Sequence, residues 1–162
     1  MLRRVTLLAA VVAVMTMVVA GAALAATFTG TNGPNTIDGT QSSDDIFGLG
    51  GNDTLRGLGG NDFINGGRGA DFINGGPGND DLLGGRGNDT VRGGGDNDYI
   101  LGGLGSDTLF GDSGDDYVDG RDGIEGNDFV SGGDGIDDCF VDSLDEVGPG
   151  CEDVVIGYPP DM

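Results

Sequence analysis

A nine-residue period runs through most of the chain and limits the folds available to it. Twelve units follow one another over residues 30–140, and residues 66–74 give a typical one, GGRGADFIN. Position one is always glycine, while position six is Asn35 in the first unit and aspartate in the other eleven. The eleventh unit, residues 120–131, is three residues longer than the rest. A sustained period of this kind is typical of a solenoid, in which each repeat packs only on its neighbours.

Each unit divides into a turn and a short strand. Glycines at positions one, two and four permit positive φ angles and close backbone approaches, which favours a turn over the first six residues. The last three residues, such as Phe72-Ile73-Asn74, predict a short strand whose middle residue points inward. We therefore expect an all-β chain with one inward residue per unit. These residues are Ile37, Ile46, Leu55, Ile64, Ile73, Leu82, Val91, Ile100, Leu109, Val118, Val130 and Cys139.

The units match the pattern G-G-x-G-x-D-x-U-x, and the chain resembles the repeats-in-toxin (RTX) family of calcium-binding proteins over residues 30–140. The resemblance implies a calcium-stacked parallel β-roll, in which two units form one full coil and equivalent turns stack every second unit. Two departures from the pattern matter. Asn35 replaces an aspartate, so the first turn is expected to bind weakly or only to cap the stack. The extra residues around Gly123 put the metal sites of the eleventh unit in question.

The resemblance makes the position-six aspartates the calcium ligands. Stacked strands lie about 4.7–4.9 Å apart, a distance that a calcium ion can bridge with oxygen ligands at about 2.3–2.6 Å on either side. Carboxylate and carbonyl oxygens suit calcium, whereas the tighter octahedron of magnesium fits such a slot poorly. We expect about eight calcium ions between the stacked turns. The predicted ligands are Asp44, Asp53, Asp62, Asp71, Asp80, Asp89, Asp98, Asp107, Asp116, Asp128 and Asp137.

The net charge excludes several partners and indicates a need for cations. All 28 acidic residues lie after residue 25, whereas two of the seven basic residues precede it, so the chain from Ala26 carries a formal charge of −23 (five basic minus 28 acidic). A nucleic-acid binder needs a basic surface, and anionic lipid repels a chain of this charge. Charge of this density keeps a chain unfolded unless cations match it. We therefore expect calcium to be required for folding.

The N-terminal segment 1–25 has the features of a secretory signal peptide. Arg3 and Arg4 precede an apolar run, and Ala23-Leu24-Ala25 offers an A-x-A cleavage site. An uncleaved membrane anchor is the alternative, because the apolar run approaches the roughly 20 residues that span a bilayer. We expect cleavage, a secreted protein and no membrane contact afterwards. The predicted division is a signal peptide at 1–25, a β-roll at 26–140 and a C-terminal capping tail at 141–162.

Two cysteines and a set of aromatic residues add to this prediction. In an exported chain the pair Cys139 and Cys151 predicts a disulfide that would hold the tail over the last coil. The alternative is that Cys139 is only a small buried hydrophobe. Aromatic residues fall at outward strand positions, where they shield the thin sheets or form a surface for a partner. They are Phe63, Tyr99 and Tyr117 on one face and Phe72 and Phe129 on the other.

The sequence indicates a binding protein and not an enzyme. It contains no His, Lys or Trp, so the usual general base and Schiff-base nucleophile are missing, and it has no G-x-S-x-G, H-E-x-x-H or Walker motif. The predicted function is that of a secreted calcium-binding module. The alternative is an extracellular adhesive or matrix protein that uses the roll as a rigid scaffold and contacts a cell-surface or matrix partner.

Overall fold

The computed structural model describes residues 24–124 and 127–157. The predicted signal peptide therefore lies outside the described residues, except for its last two positions. The described residues form strands and turns, and none of them belongs to a helix that is long and apolar enough to cross a membrane.

Fifteen strands occur in the described part of the chain, and all neighbouring strands are parallel. Odd-numbered strands form an eight-stranded sheet, and even-numbered strands form a seven-stranded sheet. Consecutive strands thus alternate between the two sheets, and each pair of strands makes one coil of a solenoid. This confirms the predicted parallel β-roll. The strands are β1 (Thr27–Thr29), β2 (Thr36–Asp38), β3 (Asp45–Phe47), β4 (Thr54–Arg56), β5 (Phe63–Arg68), β6 (Phe72–Pro77), β7 (Asp81–Arg86), β8 (Thr90–Gly95), β9 (Tyr99–Leu104), β10 (Thr108–Ser113), β11 (Tyr117–Asp119), β12 (Phe129–Asp134), β13 (Asp138–Val141), β14 (Glu146–Val147) and β15 (Asp153–Ile156).

The register of the sheets follows the predicted coil of two units. Ile64 of β5 pairs with Leu82 of β7, two units further along the chain. Across the long eleventh unit, Leu109 of β10 pairs with Val130 of β12, which is again the equivalent position two units later. The extra residues of that unit therefore enlarge a turn and leave the ladder in phase.

The core is a row of side chains enclosed between the two sheets. Eleven of the twelve predicted inward residues are buried, and Val141 of β13 joins them. The exception is Ile37, which is half-buried because its strand, β2, is the last strand of its sheet and has a neighbour on one side only. The core consists of Ile46, Leu55, Ile64, Ile73, Leu82, Val91, Ile100, Leu109, Val118, Val130, Cys139 and Val141.

The central strands are longer than the sequence predicts. Strands β5 to β10 each contain six residues, because the first three residues of the following unit continue the ladder. Gly76 of β6, for example, pairs with Gly94 of β8. Gly76 has a φ of +110°, and a Cβ there would lie 2.6 Å from the carbonyl oxygen of Leu58. Glycine is required because the stacked backbones approach too closely for a side chain.

The C-terminal tail extends both sheets by one strand. Strand β14 pairs with β12, and β15 pairs with β13, so the tail covers two sheet edges that would otherwise be exposed. A disulfide joins Cys139 of β13 to Cys151, which precedes β15, with the Cα atoms 5.6 Å apart. The predicted disulfide is therefore confirmed, and it fastens the tail to the last buried row.

The aromatic residues lie on the outer faces of the sheets, as predicted. On the eight-stranded sheet, the ring centre of Tyr117 lies 4.6 Å from that of Tyr99 and 4.5 Å from that of Phe140. The guanidinium of Arg121 lies 4.7 Å above the Phe140 ring and pairs with the Asp119 carboxylate at 2.7 Å. These contacts form a continuous row of packed aromatic rings with a cation at one end.

Candidate metal centres

The position-six aspartates form two columns, one at each turn of the coil. Each aspartate lies directly before a strand and is buried. The backbone N–H of Asp62 donates a hydrogen bond of 2.8 Å to Oδ1 of Asp80, and the N–H of Asp80 donates one of 2.8 Å to Oδ1 of Asp98. The same bond joins every successive pair, so the predicted columns are present. One contains Asp44, Asp62, Asp80, Asp98, Asp116 and Asp137, and the other contains Asn35, Asp53, Asp71, Asp89, Asp107 and Asp128.

The second carboxylate oxygen is left without a hydrogen-bond partner in ten of these aspartates. In Asp80, for example, Oδ2 is inaccessible to solvent and no donor from the described residues reaches it. A buried carboxylate oxygen without a partner is costly, and its repetition in successive turns is typical of oxygens that bind a cation. The ten residues are Asp53, Asp62, Asp71, Asp80, Asp89, Asp98, Asp107, Asp116, Asp128 and Asp137.

In eight of the ten turns, the glycine at position one keeps open a hollow between the unpartnered oxygen and a backbone carbonyl oxygen of the next stacked turn. The exceptions are the turns of Asp107 and Asp128, whose glycines are Gly102 and Gly120. A Cβ on Gly84 would lie 2.7 Å from Oδ2 of Asp89 and 2.5 Å from the carbonyl oxygen of Gly102 in the next stacked turn. The hollow therefore brings together a carboxylate oxygen of one turn and a backbone carbonyl oxygen of the next. Because the hollow adjoins two turns, an ion within it would fasten one coil to the next.

The donor set of these hollows fits calcium. Within residues 24–124 and 127–157 no group of three or more His, Cys, Asp or Glu side chains converges on one point, so backbone carbonyls or water would complete any coordination shell. Calcium accepts mixed carboxylate and carbonyl oxygens in a flexible geometry, whereas magnesium demands a tighter octahedron and zinc favours nitrogen and sulfur.

Burial changes the acidity of these carboxyl groups. Loss of solvent raises the pKa of Asp98 to about 8, and the charges of neighbouring aspartates add to the effect. The pKa values of Asp80, Asp89 and Asp128 rise to about 7 for the same reason. The hydrogen bond from the preceding turn lowers each pKa but does not offset the desolvation. A nearby positive charge would favour the ionised form of these carboxyl groups in the folded chain.

Two acidic residues of the tail continue the columns beyond the predicted ligands. Oε2 of Glu152 accepts a 2.9 Å hydrogen bond from the N–H of Asp137, and Oδ1 of Asp145 accepts one of 3.3 Å from the N–H of Asp128. The nine-residue period does not reach them. In the structure each residue lies directly before a strand, as the position-six aspartates do.

The first two turns differ from the others. Oδ2 of Asp44 accepts hydrogen bonds from the N–H of Thr40 at 2.6 Å and from its hydroxyl at 2.9 Å. Oδ1 of Asn35 accepts a 2.6 Å hydrogen bond from the N–H of Thr31. Both residues occupy their predicted columns, but their side-chain oxygens are already paired within the chain.

The geometry of the turns agrees with a comparison of the sequence with known families. The sequence model of the RTX calcium-binding nonapeptide repeat matches residues 25–55, 56–91 and 92–124. The chain belongs to this family. No curated protein matches the chain. The family matches end at residue 124, whereas the RTX ladder of this chain continues through β12, β13, β14 and β15.

Proposed function

We propose that the chain is a secreted calcium-binding protein whose roll folds when Ca²⁺ binds between stacked turns. The single observation that carries the proposal is the set of ten buried Oδ2 atoms without a hydrogen-bond partner. The corresponding division of the chain is a signal peptide at 1–25, a calcium-binding roll at 26–140 and a capping tail at 141–162. The disulfide supports export, because such bonds persist in oxidising compartments.

The proposed ligands are the ten unpartnered aspartates together with backbone carbonyls of the adjacent turns. Their number is consistent with about eight ions, since ions at the ends of the columns meet fewer ligands. Asp44 is different, because both of its carboxylate oxygens accept hydrogen bonds.

Folding and binding are linked through charge. The backbone N–H of one turn fixes Oδ1 of the next, which directs Oδ2 into the hollow beside the position-one glycine. Bound calcium would stabilise the carboxylate charges that water solvates in the unfolded chain. Without it, each column is a ladder of like charges in a dry environment, so the unfolded chain is favoured at neutral pH.

A non-enzymatic function follows from this use of the carboxylates. The groups with strongly raised pKa values are repeated in successive turns, each facing a hollow lined by backbone oxygens. Residues that serve catalysis are instead collected at one site with distinct tasks. The absence of His and Lys from the sequence is consistent with this proposal.

A scaffold or adhesive function is the second candidate. It is favoured by the row of packed aromatic rings on the eight-stranded sheet, in which Tyr99 is 42% exposed. In that case calcium would stiffen the roll, and the rings would contact a cell-surface or matrix partner. Loss of surface adhesion in a Tyr99→Ser variant with unchanged calcium binding would favour this function.

Calorimetric titration of the full chain with Ca²⁺, and separately with Mg²⁺, tests calcium binding directly. We expect about eight calcium ions per chain with affinities of about 10⁻⁴–10⁻³ M, as in other extracellular calcium modules, and little heat from magnesium. Binding of one calcium ion or none per chain would contradict the proposed function.

A further inference from the structure

The turns of the first two units have a different backbone conformation from those of units three to ten. Position two has a φ between +73° and +123° in units three to ten, where it is leucine, glycine or aspartate. In the first two units it is Thr31 and Thr40, and neither has a positive φ. β-branched side chains disfavour the left-handed region, so threonine at this position selects another turn.

The altered turn redirects a backbone donor toward the aspartate. In the fourth unit, the N–H of Leu58 donates to the carbonyl oxygen of Gly75 in the stacked turn, at 3.1 Å. In the second unit, the N–H of Thr40 instead donates to Oδ2 of Asp44, and the Thr40 hydroxyl lies 2.9 Å from the same oxygen. Threonine thus provides two donors at the oxygen that is unpartnered in Asp62, the next residue of the column.

The remaining oxygen of Asp44 is also satisfied. Oδ1 accepts a 2.8 Å hydrogen bond from the N–H of Ala26, which lies one coil earlier and directly before β1. Asp44 is only 2% exposed, so water does not compete for these bonds. An ion bound at Oδ2 would have to displace two donors that already stabilise the negative charge.

We propose that the first two turns bind no calcium and form a metal-independent N-terminal cap, and that the calcium columns begin at Asp53 and Asp62. The proposal rests on the proposed calcium-binding function and assigns where its sites start. The nine-residue spacing predicts that Asp44 is a calcium ligand. Its hydrogen bonds instead make it the capping residue at the N-terminal end of the first column. Asn35 caps the second column in the same way, because its side-chain oxygen accepts a hydrogen bond from the N–H of Thr31.

Three variants of the full chain test the cap, with native mass spectrometry in millimolar calcium to count bound ions. Asp44→Asn removes the carboxylate from the capped turn, and Asp62→Asn makes the same change one coil further along the same column. We expect the Asp44 variant to retain the wild-type number of ions and the Asp62 variant to lose at least one. Equal losses would overturn the proposal.

The third variant, Thr40→Gly, restores the glycine of the later turns and removes the hydroxyl from Oδ2 of Asp44. We expect it to bind one more ion than the wild type, and an unchanged count would overturn the proposal even if Asp44→Asn did not fold. The two proposals fail in different ways. A wild-type chain without bound calcium refutes the calcium-binding function, whereas a loaded wild type with equal losses refutes only the cap.

Discussion

Replacing Asp80 with asparagine removes one charge from the middle of a calcium column and leaves the shape of the side chain nearly unchanged. Asp80 is 1% exposed, its Oδ1 accepts the N–H of Asp62, and its own N–H donates to Asp98. The asparagine oxygen can keep the first bond, so the main loss is calcium. The matched control is Asp81→Asn, which removes the same charge from the neighbouring, exposed position of β7.

The expected magnitude follows from the ions that Asp80 helps to hold. An ion with an affinity of about 10⁻⁴–10⁻³ M stabilises the folded chain by about 1.4–2.7 kcal/mol at about 10 mM free calcium. Because Asp80 adjoins a stacked turn on either side, loss of two ions would double this figure. A surface change such as Asp81→Asn is expected to alter the free energy of unfolding by about 0.5 kcal/mol or less.

Urea unfolding followed by circular dichroism in about 10 mM calcium measures both effects. In calcium, we expect Asp80→Asn to lower the free energy of unfolding by the amount given above. In chelator at pH 8 the wild-type chain is expected to be largely unfolded, so the comparison there is of circular dichroism alone. Asp80→Asn should show no less β structure than the wild type, because the neutral amide avoids the burial of a carboxylate whose pKa is raised to about 7. Equal effects of Asp80→Asn and Asp81→Asn in calcium would refute the placement of the ions.

Three further predictions concern the ends of the roll and its response to pH. Asn35→Ala should leave calcium affinity nearly unchanged while Asp80→Ala lowers it, and titrations with equal losses would contradict the two-column arrangement. Burial raises the carboxyl pKa to about 6 for Asp116 and to about 8 for Asp98, so their protonated forms stabilise the metal-free fold at low pH. This stabilisation is lost as the pH rises from about 4, the ordinary pKa of aspartate, through 6–8. Calcium should therefore bind more weakly at pH 5 than at pH 8. In chelator, circular dichroism should show more β structure at pH 5 than at pH 8. An absence of both trends would count against the burial of these carboxyl groups in the folded chain. Reduction of the disulfide should first raise hydrogen exchange in β14 and β15, whereas an even rise along the whole roll would refute a local cap.

The parts of the fold that repeat could be predicted from the sequence. Ile64, Ile100 and Val118 occupy equivalent positions of their coils, so one pattern places all of them in the core. The carboxylate columns follow in the same way, because the nine-residue spacing puts Asp62 and Asp80 in equivalent turns. The nine-residue spacing was sufficient to predict the position of a side chain wherever each unit packs against units of the same sequence pattern.

The parts that depend on a particular neighbour could not be predicted. The six-residue strands continue through glycines such as Gly76, which have no side chain to produce a pattern of polar and apolar positions. Glu152 joins a column although it lies outside the period, and Thr40 pairs with Asp44 because a β-branched residue changes one turn. Each of these features requires the backbone conformation, which the repeat pattern alone does not supply.

The most direct test measures whether calcium folds the chain. Circular dichroism and the hydrodynamic radius of the exported protein should be recorded in chelator, in millimolar magnesium and in millimolar calcium at pH 7.5. We expect an expanded chain with little β structure in chelator, little change with magnesium, and a compact β-rich state with calcium, because the folded carboxylates require a cation that fits the hollows between turns. A spectrum and a radius that are identical in chelator and in calcium would contradict the proposed function.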